Sequence, residues 1–297
     1  MILVDYSQLI IASCLAFPDD FKKGGDVAKM QQIIRHTTLQ TLLSYKQKFG
    51  SKYGDIVLCG DGRNYWRKAV FPYYKAHRKA AREESGTDWK ALFDFAREFS
   101  SELREVFPWK FVTVDDAESD DVVATLVEFA NENLCISSGL VEEAPPILII
   151  SSDGDLKQLH KHKNIKQYNP IMKKMVDKPE PDFLFEKIVR GDSGDGIPNS
   201  LSADDFLVNG EGRAKAITAK VKERFRTGQI NEVEQRNFER NRMLIDFDYI
   251  PADLKQRIVN TYLENESVKD LNKVMNYLMA NRMRMLLDRV QDFRVAK

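Results

Sequence analysis

The side chains best equipped for chemistry in this chain are carboxylates. Asp5 ends the run ILVD, and Asp61 sits in CGDG. Glu118, Asp120 and Asp121 fall in DDAESDD, Asp153 and Asp155 in SSDGD, and Asp192 and Asp195 in RGDSGDG. No Cys or His accompanies them, so whatever they bind meets hard oxygen donors alone. That donor set favours Mg²⁺ or Mn²⁺ over zinc. Bare carboxylates brought together repel one another, so a converging cluster calls for a cation. Nine acids exceed the needs of one ion, and two ions are the natural count. Spacing does not decide which acids touch metal directly. Asp121, beside Asp120, has the weakest claim, and Asp115 and Asp116 are set aside as solvent-facing or outer-sphere. Taken singly each acid has a bland reading. An Asp after a strand often caps the next helix, DDAESDD is a fair acidic helix start, and GDSGDG is a fair Gly/Asp turn.

The elements that would position them follow from hydrophobic periodicity. Strands are expected at Ile2–Val4, Ile56–Cys59, Phe111–Val114 and Ile147–Ser151, with a fifth at Ile165–Tyr168. Helices are expected at Val27–Phe49, Trp89–Val106 and Val122–Glu132. Strands alternating with helices predict an α/β class with a mostly parallel sheet and helices on both faces. In such a sheet, sites lie at the carboxyl ends of the strands, and four of the five strands deliver acids to that rim. Beyond residue 180 the pattern is helical: Phe183–Arg190, Ala203–Leu207, Arg213–Arg226, Asn231–Leu244, Ala252–Glu264 and Val268–Arg289. The expected organisation is therefore an α/β part over 1–180 and a helical part over 181–297.

Charge is segregated. The chain carries 45 basic and 45 acidic residues, so setting the nine candidate acids aside leaves the remainder with nine excess bases. From Gly62 to Arg82 there is no acid, while Arg63, Arg67, Lys68, Lys75, Arg78, Lys79 and Arg82 fall there. Tyr65, Trp66, Phe71, Tyr73 and Tyr74 are interleaved with them. Bases with aromatics suit a phosphate backbone and unstacked bases. The competing reading is a helix with a solvated basic face and an aromatic core face. Position beside Asp61 favours nucleic acid. Two weaker basic groups are Lys161, Lys163, Lys166, Lys173 and Lys174, and a second that begins with Arg213 and Lys215 after NGEGR.

Composition sets the outer bounds. The chain has 297 residues, 43% hydrophobic and 30% charged, enough for one large domain or a main domain with a smaller one. No apolar run approaches the roughly 20 residues of a membrane span. Three cysteines without close spacing, Cys14, Cys59 and Cys135, disfavour a disulfide framework. With no basic leader at the start, a cytoplasmic protein is expected.

The ordered set ILVDYSQ, VLCGDG, NYWRKAVFPYYKAHR, AREES, DAESDD, LIISSDGDLKQLHK, GDSGD and LIDFDYIP resembles the 5′ nuclease (flap endonuclease) superfamily, its bacteriophage members above all. The resemblance runs from residue 2 to about 251. It implies a PIN-like nuclease core, an arch at about 62–87 and a helix–three-turn–helix-like DNA-binding element beginning at Gly191. It implies Mg²⁺-dependent 5′→3′ exonuclease, ribonuclease H and flap-endonuclease activity, in which RNA primers and adjacent DNA are removed from lagging strands during replication. Asp5, Asp61, Glu118, Asp120 and Asp153 would surround one ion. Asp155, Asp192 and Asp195 would serve the other, with Asp120 or Asp121 shared. Arg67 and Lys75 match the cations of the arch and would be catalytic. Arg63, Lys68, Tyr74, Arg78, Lys79, Arg82, Arg213 and Lys215 would bind nucleic acid. RNA·DNA hybrid and duplex DNA with a 5′ end or flap are the implied substrates, for a monomer with no membrane association in a phage-infected host cytoplasm. A monovalent cation in the helical element, and a single-stranded-DNA-binding protein or sliding clamp as partner, come from the same resemblance. One departure is the stretch GIPNSLSADDFLVNGEGRAK, where many relatives have a Gly-Ile-Gly-x-Lys hairpin; its Asp204 and Asp205 are extra acids.

Two other functions compete. A non-catalytic protein that binds branched DNA would keep the basic stretch but need no acid cluster. A different Mg²⁺ phosphohydrolase with an Asp nucleophile would need a second Asp two residues after Asp5, where Ser7 stands.

Overall fold

A computed structural model describes residues 1–15, 27–134, 136–137, 142–210, 212–265 and 270–294. Cys135, Glu211 of the NGEGR loop and the start of the helix expected from Val268 lie outside the described residues. The chain forms two compact units: Met1–Arg63, Gly86–Val176 and Asp253–Lys297 in the first, Asn64–Ser85 and Asp177–Ala252 in the second.

The first unit is built on β1 (Ile2–Asp5), β2 (Ile56–Cys59), β3 (Lys110–Val112), a small antiparallel pair of β4 (Ile136–Ser137) and β5 (Glu142–Glu143), then β6 (Ile147–Ile150), β7 (Ile165–Asn169) and β8 (Lys174–Met175). The main sheet has the order β3-β2-β1-β6-β7-β8, parallel except for the antiparallel β8 at the edge. β1, β2 and β6 are buried along their whole length. That is why they read as unbroken apolar runs, the signature of parallel strands covered on both faces. Val4 lies opposite Leu58 and Ile150, so the carboxyl ends of the three central strands are level.

Helices flank the sheet. Trp89–Val106 buries Leu92, Phe95, Phe99 and Leu103, one stripe at helical spacing, and starts where the Asp88 carboxylate accepts from Ala91 N at 3.0 Å. Val27–Tyr53 buries Ile34, Leu39, Leu42 and Leu43 together with Arg35. The Arg35 guanidinium is held by Glu102 at 2.6 Å and Glu98 at 2.7 Å and lies over the Phe95 ring.

The five expected strands are all present, with small shifts at their ends. Asp5 is the last residue of β1 rather than the residue after it, and β3 stops at Val112. The helix expected from Val122 begins at Ser119, because Glu118 N donates to Asp121 Oδ2 at 3.0 Å and caps it there. β8 and the helix Tyr6–Leu15 have no counterpart in the sequence reading.

A division at residue 180 follows the chain, whereas the contacts interleave it. Residues 253–265 and 270–294 belong with the sheet: Phe107 stacks on Trp109 at 5.5 Å, and Phe293 meets both rings at 5.4 and 5.6 Å. Val274, Leu278 and Leu286 join the same core.

In the second unit, Phe71, Tyr74, Ile188, Ile197, Leu244 and Ile245 form the core. Its longer helices are Phe183–Arg190, Ala219–Arg226 and Glu232–Ile245. The helix expected from Arg213 begins only at Ala219, where Thr218 Oγ1 accepts from Val221 N. Glu232–Ile245 clamps the departing loop 198–202 through an amide ladder. Asn241 Nδ2 donates to Ile188 O at 2.8 Å and Pro198 O at 2.9 Å, and Asn237 Nδ2 donates to Ser202 O at 3.0 Å. The extra acid Asp204 accepts from Arg236 at 2.8 Å and from Arg240 at 2.5 Å, so it braces this loop.

Candidate active site

Four strand ends bring carboxylates to one rim of the first unit, and two serines tie them together. Ser119 donates its hydroxyl to Asp5 Oδ1 at 2.9 Å and its backbone N–H to Asp61 Oδ1 at 2.8 Å. Ser151 donates its hydroxyl to Asp5 Oδ2 at 3.1 Å and accepts from Asp153 N at 3.0 Å. Asp155 N in turn donates to Asp153 Oδ1 at 2.8 Å. Asp61, Asp5, Asp153 and Asp155 are thereby linked in series. Glu118, Asp120 and Asp121, at the start of the helix Ser119–Asn133, can bring one carboxylate oxygen each within 4.8 Å of one another.

The surrounding chain fixes each member. Gly62 lets Asp61 turn in: a Cβ there would overlap the Val114 carbonyl, so only glycine fits. Gln8 Oε1 accepts from Ser152 N at 2.7 Å, and Gln8 N donates to Asp5 Oδ1 at 3.0 Å. Gln167 of β7 donates to the carbonyls of Ser151 at 3.1 Å and Asp153 at 2.7 Å, and its own oxygen meets His160 at 3.2 Å. Gln8, Ser119, Ser151 and Gln167, together with Ser7, whose hydroxyl accepts from Asp61 N at 2.9 Å, are absent from the sequence-derived site. The signal for most of them was a hydroxyl or amide beside an acid, in DYSQ, ESDD and SSDGD. For Gln167 it was one polar residue at a buried position of a strand.

Asp5 reports the electrostatics. Burial pushes its pKa up to about 6, the Asp61 charge adds to this, and the donors Gln8, Ser119 and Ser151 oppose it. A nearly buried carboxylate held by neutral donors, next to a second carboxylate, is the setting a divalent cation would relieve. The donor set, all carboxylate oxygen, fits a hard ion. Asp121 is fully buried, and its Oδ2 accepts from Glu118 N and caps the helix while it stays one of the three grouped acids.

Residues 1–188 match the family described as 5′-3′ exonuclease, N-terminal resolvase-like domain, and residues 178–293 match the family described as T4 RNase H, C terminal. The chain belongs to this 5′-3′ exonuclease family. It is 32% identical to the ribonuclease H of Enterobacteria phage T4, over 98% of this chain and 95% of that protein. The fold is that of the bacteriophage T5 flap endonuclease: one crystal structure, a pseudo-enzyme–product complex with DNA and metal ions, superposes with a TM-score of 0.60 at 15% identity, covering 89% of this chain and 97% of that one. The T5 protein co-crystallised with metal ions gives a TM-score of 0.58 at 16% identity, with the same coverage. This exonuclease-family chain is accordingly a nuclease, a phosphodiester hydrolase, with a mostly parallel sheet and a helical C-terminal part.

The other expected site residues of the exonuclease lie in its second unit, apart from Arg63, which is exposed in the first. Asp192 Oδ2 accepts from Lys187 at 2.7 Å, and its Oδ1 accepts from the N–H groups of Gly194 and Asp195. Burial alone would raise the Asp192 pKa, but Lys187 and those N–H groups bring it below the usual carboxylate value. Asp195 is held by Tyr74, Lys75 and Arg78.

Two of the expected residues, Tyr74 and Arg67, lie in the interior of this unit. Tyr74, expected to contact nucleic acid, is 2% exposed in the core of this unit, with its hydroxyl on Asp195 at 3.0 Å; it offers no face to a base. Phe71 and Trp66 are likewise buried, so much of the aromatic character of the stretch is core. Arg67, expected at the phosphate, is also 2% exposed; its Nε donates to Leu244 O at 2.8 Å and its guanidinium lies by the Trp66 ring. That placement suits bracing the unit. Lys68, Lys79, Arg82, Arg213 and Lys215 are exposed cations, as a phosphate backbone requires, while Arg78 is half-buried at Gly194 and Asp195. No helix of the described residues is long and apolar enough to cross a membrane.

Proposed function

We propose that this nuclease is a divalent-metal-dependent 5′→3′ exonuclease and flap endonuclease that acts on duplex DNA and RNA·DNA hybrids and removes RNA primers with adjacent DNA from lagging strands. The single observation that carries the proposal is the series Asp61–Ser119–Asp5–Ser151–Asp153, which gathers carboxylates from separate strand ends at fixed spacing. Asp5, Asp61, Glu118, Asp120 and Asp153 would hold one ion, and Asp155 would face a second. Bound ions of this class supply Lewis acidity and lower the pKa of a water molecule. The protein's own part is positional. Ser119 and Ser151 occupy both oxygens of Asp5 and so set its orientation, and Gln167 fixes the loop carrying Asp153. Lys75 would neutralise charge on the phosphate under attack. Exposed Lys68, Lys79, Arg82, Arg213 and Lys215 would track the backbone without reading sequence. The T4 and T5 relatives, a ribonuclease H and a flap endonuclease crystallised with DNA, support the substrate class.

The test is cleavage of a 5′-flap DNA and of an RNA·DNA hybrid, each labelled at the 5′ end, in Mg²⁺ and in EDTA. Release of short 5′ products in Mg²⁺ only is expected. Cleavage that persists in EDTA, or products released from the 3′ end, would sink the proposal.

A further inference from the structure

We infer that Asp195 positions Lys75 and is not a direct metal ligand; the inference rests on the task given to Lys75 above. Asp195 Oδ1 accepts from Arg78 Nη2 at 2.6 Å and lies 3.5 Å from Lys75 Nζ, while Oδ2 accepts from the Tyr74 hydroxyl at 3.0 Å. Arg78 and Tyr74 thus fill two of the roughly four acceptor positions of this carboxylate, and the Lys75 ammonium is a third donor group beside one of them. Two of these donors are cations, so a divalent ion placed on the same oxygens would meet their positive charge. The family resemblance assigns Asp195 to an ion; its surroundings here do not fit that assignment.

The main chain makes the same junction. Lys75 N donates to Asp195 O at 2.8 Å, and Lys75 itself sits at φ +55°, a left-handed conformation that side-chain-bearing residues avoid. Gly196, at φ +75°, allows the approach: a Cβ there would come within 2.9 Å of Tyr73 O and 3.1 Å of Lys75 N. Arg78 adds two hydrogen bonds to Gly194 O, at 3.1 and 2.9 Å. The Lys75 ammonium is further placed beside the rings of Tyr65 and Tyr74, 5.4 and 5.0 Å from their centroids. A long, flexible side chain is thereby confined by its backbone, its counter-charge and two ring faces. Such confinement is what keeps a phosphate-neutralising cation in a productive geometry.

Asp195→Asn keeps the shape and removes the charge. In the full chain, calorimetric titration with Mn²⁺ alone should give the wild-type number of ions, with affinity within about twofold, whereas loss of a true ligand should cost more than the roughly 10–100-fold seen for outer-sphere partners. The single-turnover rate on a 5′-flap DNA should fall about 10- to 100-fold with DNA affinity little changed. In a Lys75→Ala background the same substitution should cost nothing further, since both act through one amine. Arg78→Gln, at a half-exposed position, should behave alike, and it serves if Asp195→Asn does not fold. Loss of one Mn²⁺ per chain, or an undiminished rate effect in the Lys75→Ala background, overturns the inference. Lys75→Ala cutting at the wild-type rate removes Lys75 from the chemistry and the positioning role with it, while an unaltered EDTA dependence would leave the nuclease reading standing.

Discussion

Replacing Asp5 by Asn should stabilise the metal-free protein at neutral pH. Asp5 has its pKa raised from 3.8 to about 6, burial being the main cause. The folded state therefore binds this proton more tightly than the unfolded chain does. The penalty is absent below the unfolded value, grows as pH rises from 3.8, and is complete above about 6. A shift of about two units corresponds to about 3 kcal/mol at ~1.4 kcal/mol per unit. That net figure already includes the favourable hydrogen bonds from Gln8, Ser119 and Ser151, which an amide oxygen can still accept in part. For a unit of this size, about 2–4 °C per kcal/mol implies a midpoint higher by on the order of 6–12 °C. The assay is thermal unfolding of wild type and Asp5→Asn in EDTA, at about pH 7.5 and about pH 4, then in millimolar Mg²⁺. The gap should be large at the higher pH and vanish at the lower. In Mg²⁺ the wild type should regain stability by mass action while the variant gains little, which narrows or reverses the order. If Asp5→Asn melts at or below wild type in EDTA at about pH 7.5, the crowded-carboxylate reasoning is refuted.

Other expectations concern neighbouring groups. Ser151→Ala removes the tie between Asp5 and Asp153, so Mn²⁺ affinity measured by calorimetry should drop about 10–100-fold, as for outer-sphere partners elsewhere; an unchanged affinity would discard the tie. Asp153→Asn should reduce cleavage at least ~100-fold while a gel-shift assay still detects flap binding, and near-normal cleavage would remove Asp153 from the metal set. Glu102→Ala leaves Arg35, 10% exposed, with only the outlying Glu98, and should destabilise the first unit by about 3 kcal/mol in denaturant titration. Despite burial, Arg35 and Tyr277 hold the Glu102 pKa below 4.5, so the pair's contribution should be complete above that value and be lost as pH falls through the lower, folded-state pKa. Asn241→Ala removes two buried hydrogen bonds, leaving Ile188 O to the Ser200 hydroxyl and Pro198 O to Arg240, and should cost about 1–3 kcal/mol, visible as earlier unfolding of the helical unit; a neutral result would show that the loop is held otherwise.

The sequence by itself determined the strands and the acids at their ends. β1, β2 and β6 are buried on both faces, which demands unbroken apolar runs. The chain must turn after each run, and a short acid there is visible as a break in composition. Helix starts were less legible, as at Ser119 and Ala219, because caps are set by local hydrogen bonds rather than by apolar period. Only the tertiary structure decided which residues meet. Ser119 and Ser151 reach Asp5 across 114 and 146 residues of chain, and no local pattern announces a hydroxyl that will find a carboxylate so far away. The basic stretch shows the same limit. Its composition suggested a surface for nucleic acid, yet Phe71 and Tyr74 are drawn into a core with Ile188 and Leu244, and Arg67 is drawn to the Leu244 carbonyl. An aromatic residue carries the same apolar surface whether it stacks on a base or fills a core. Its neighbours, supplied by segments more than a hundred residues away, determine which it does.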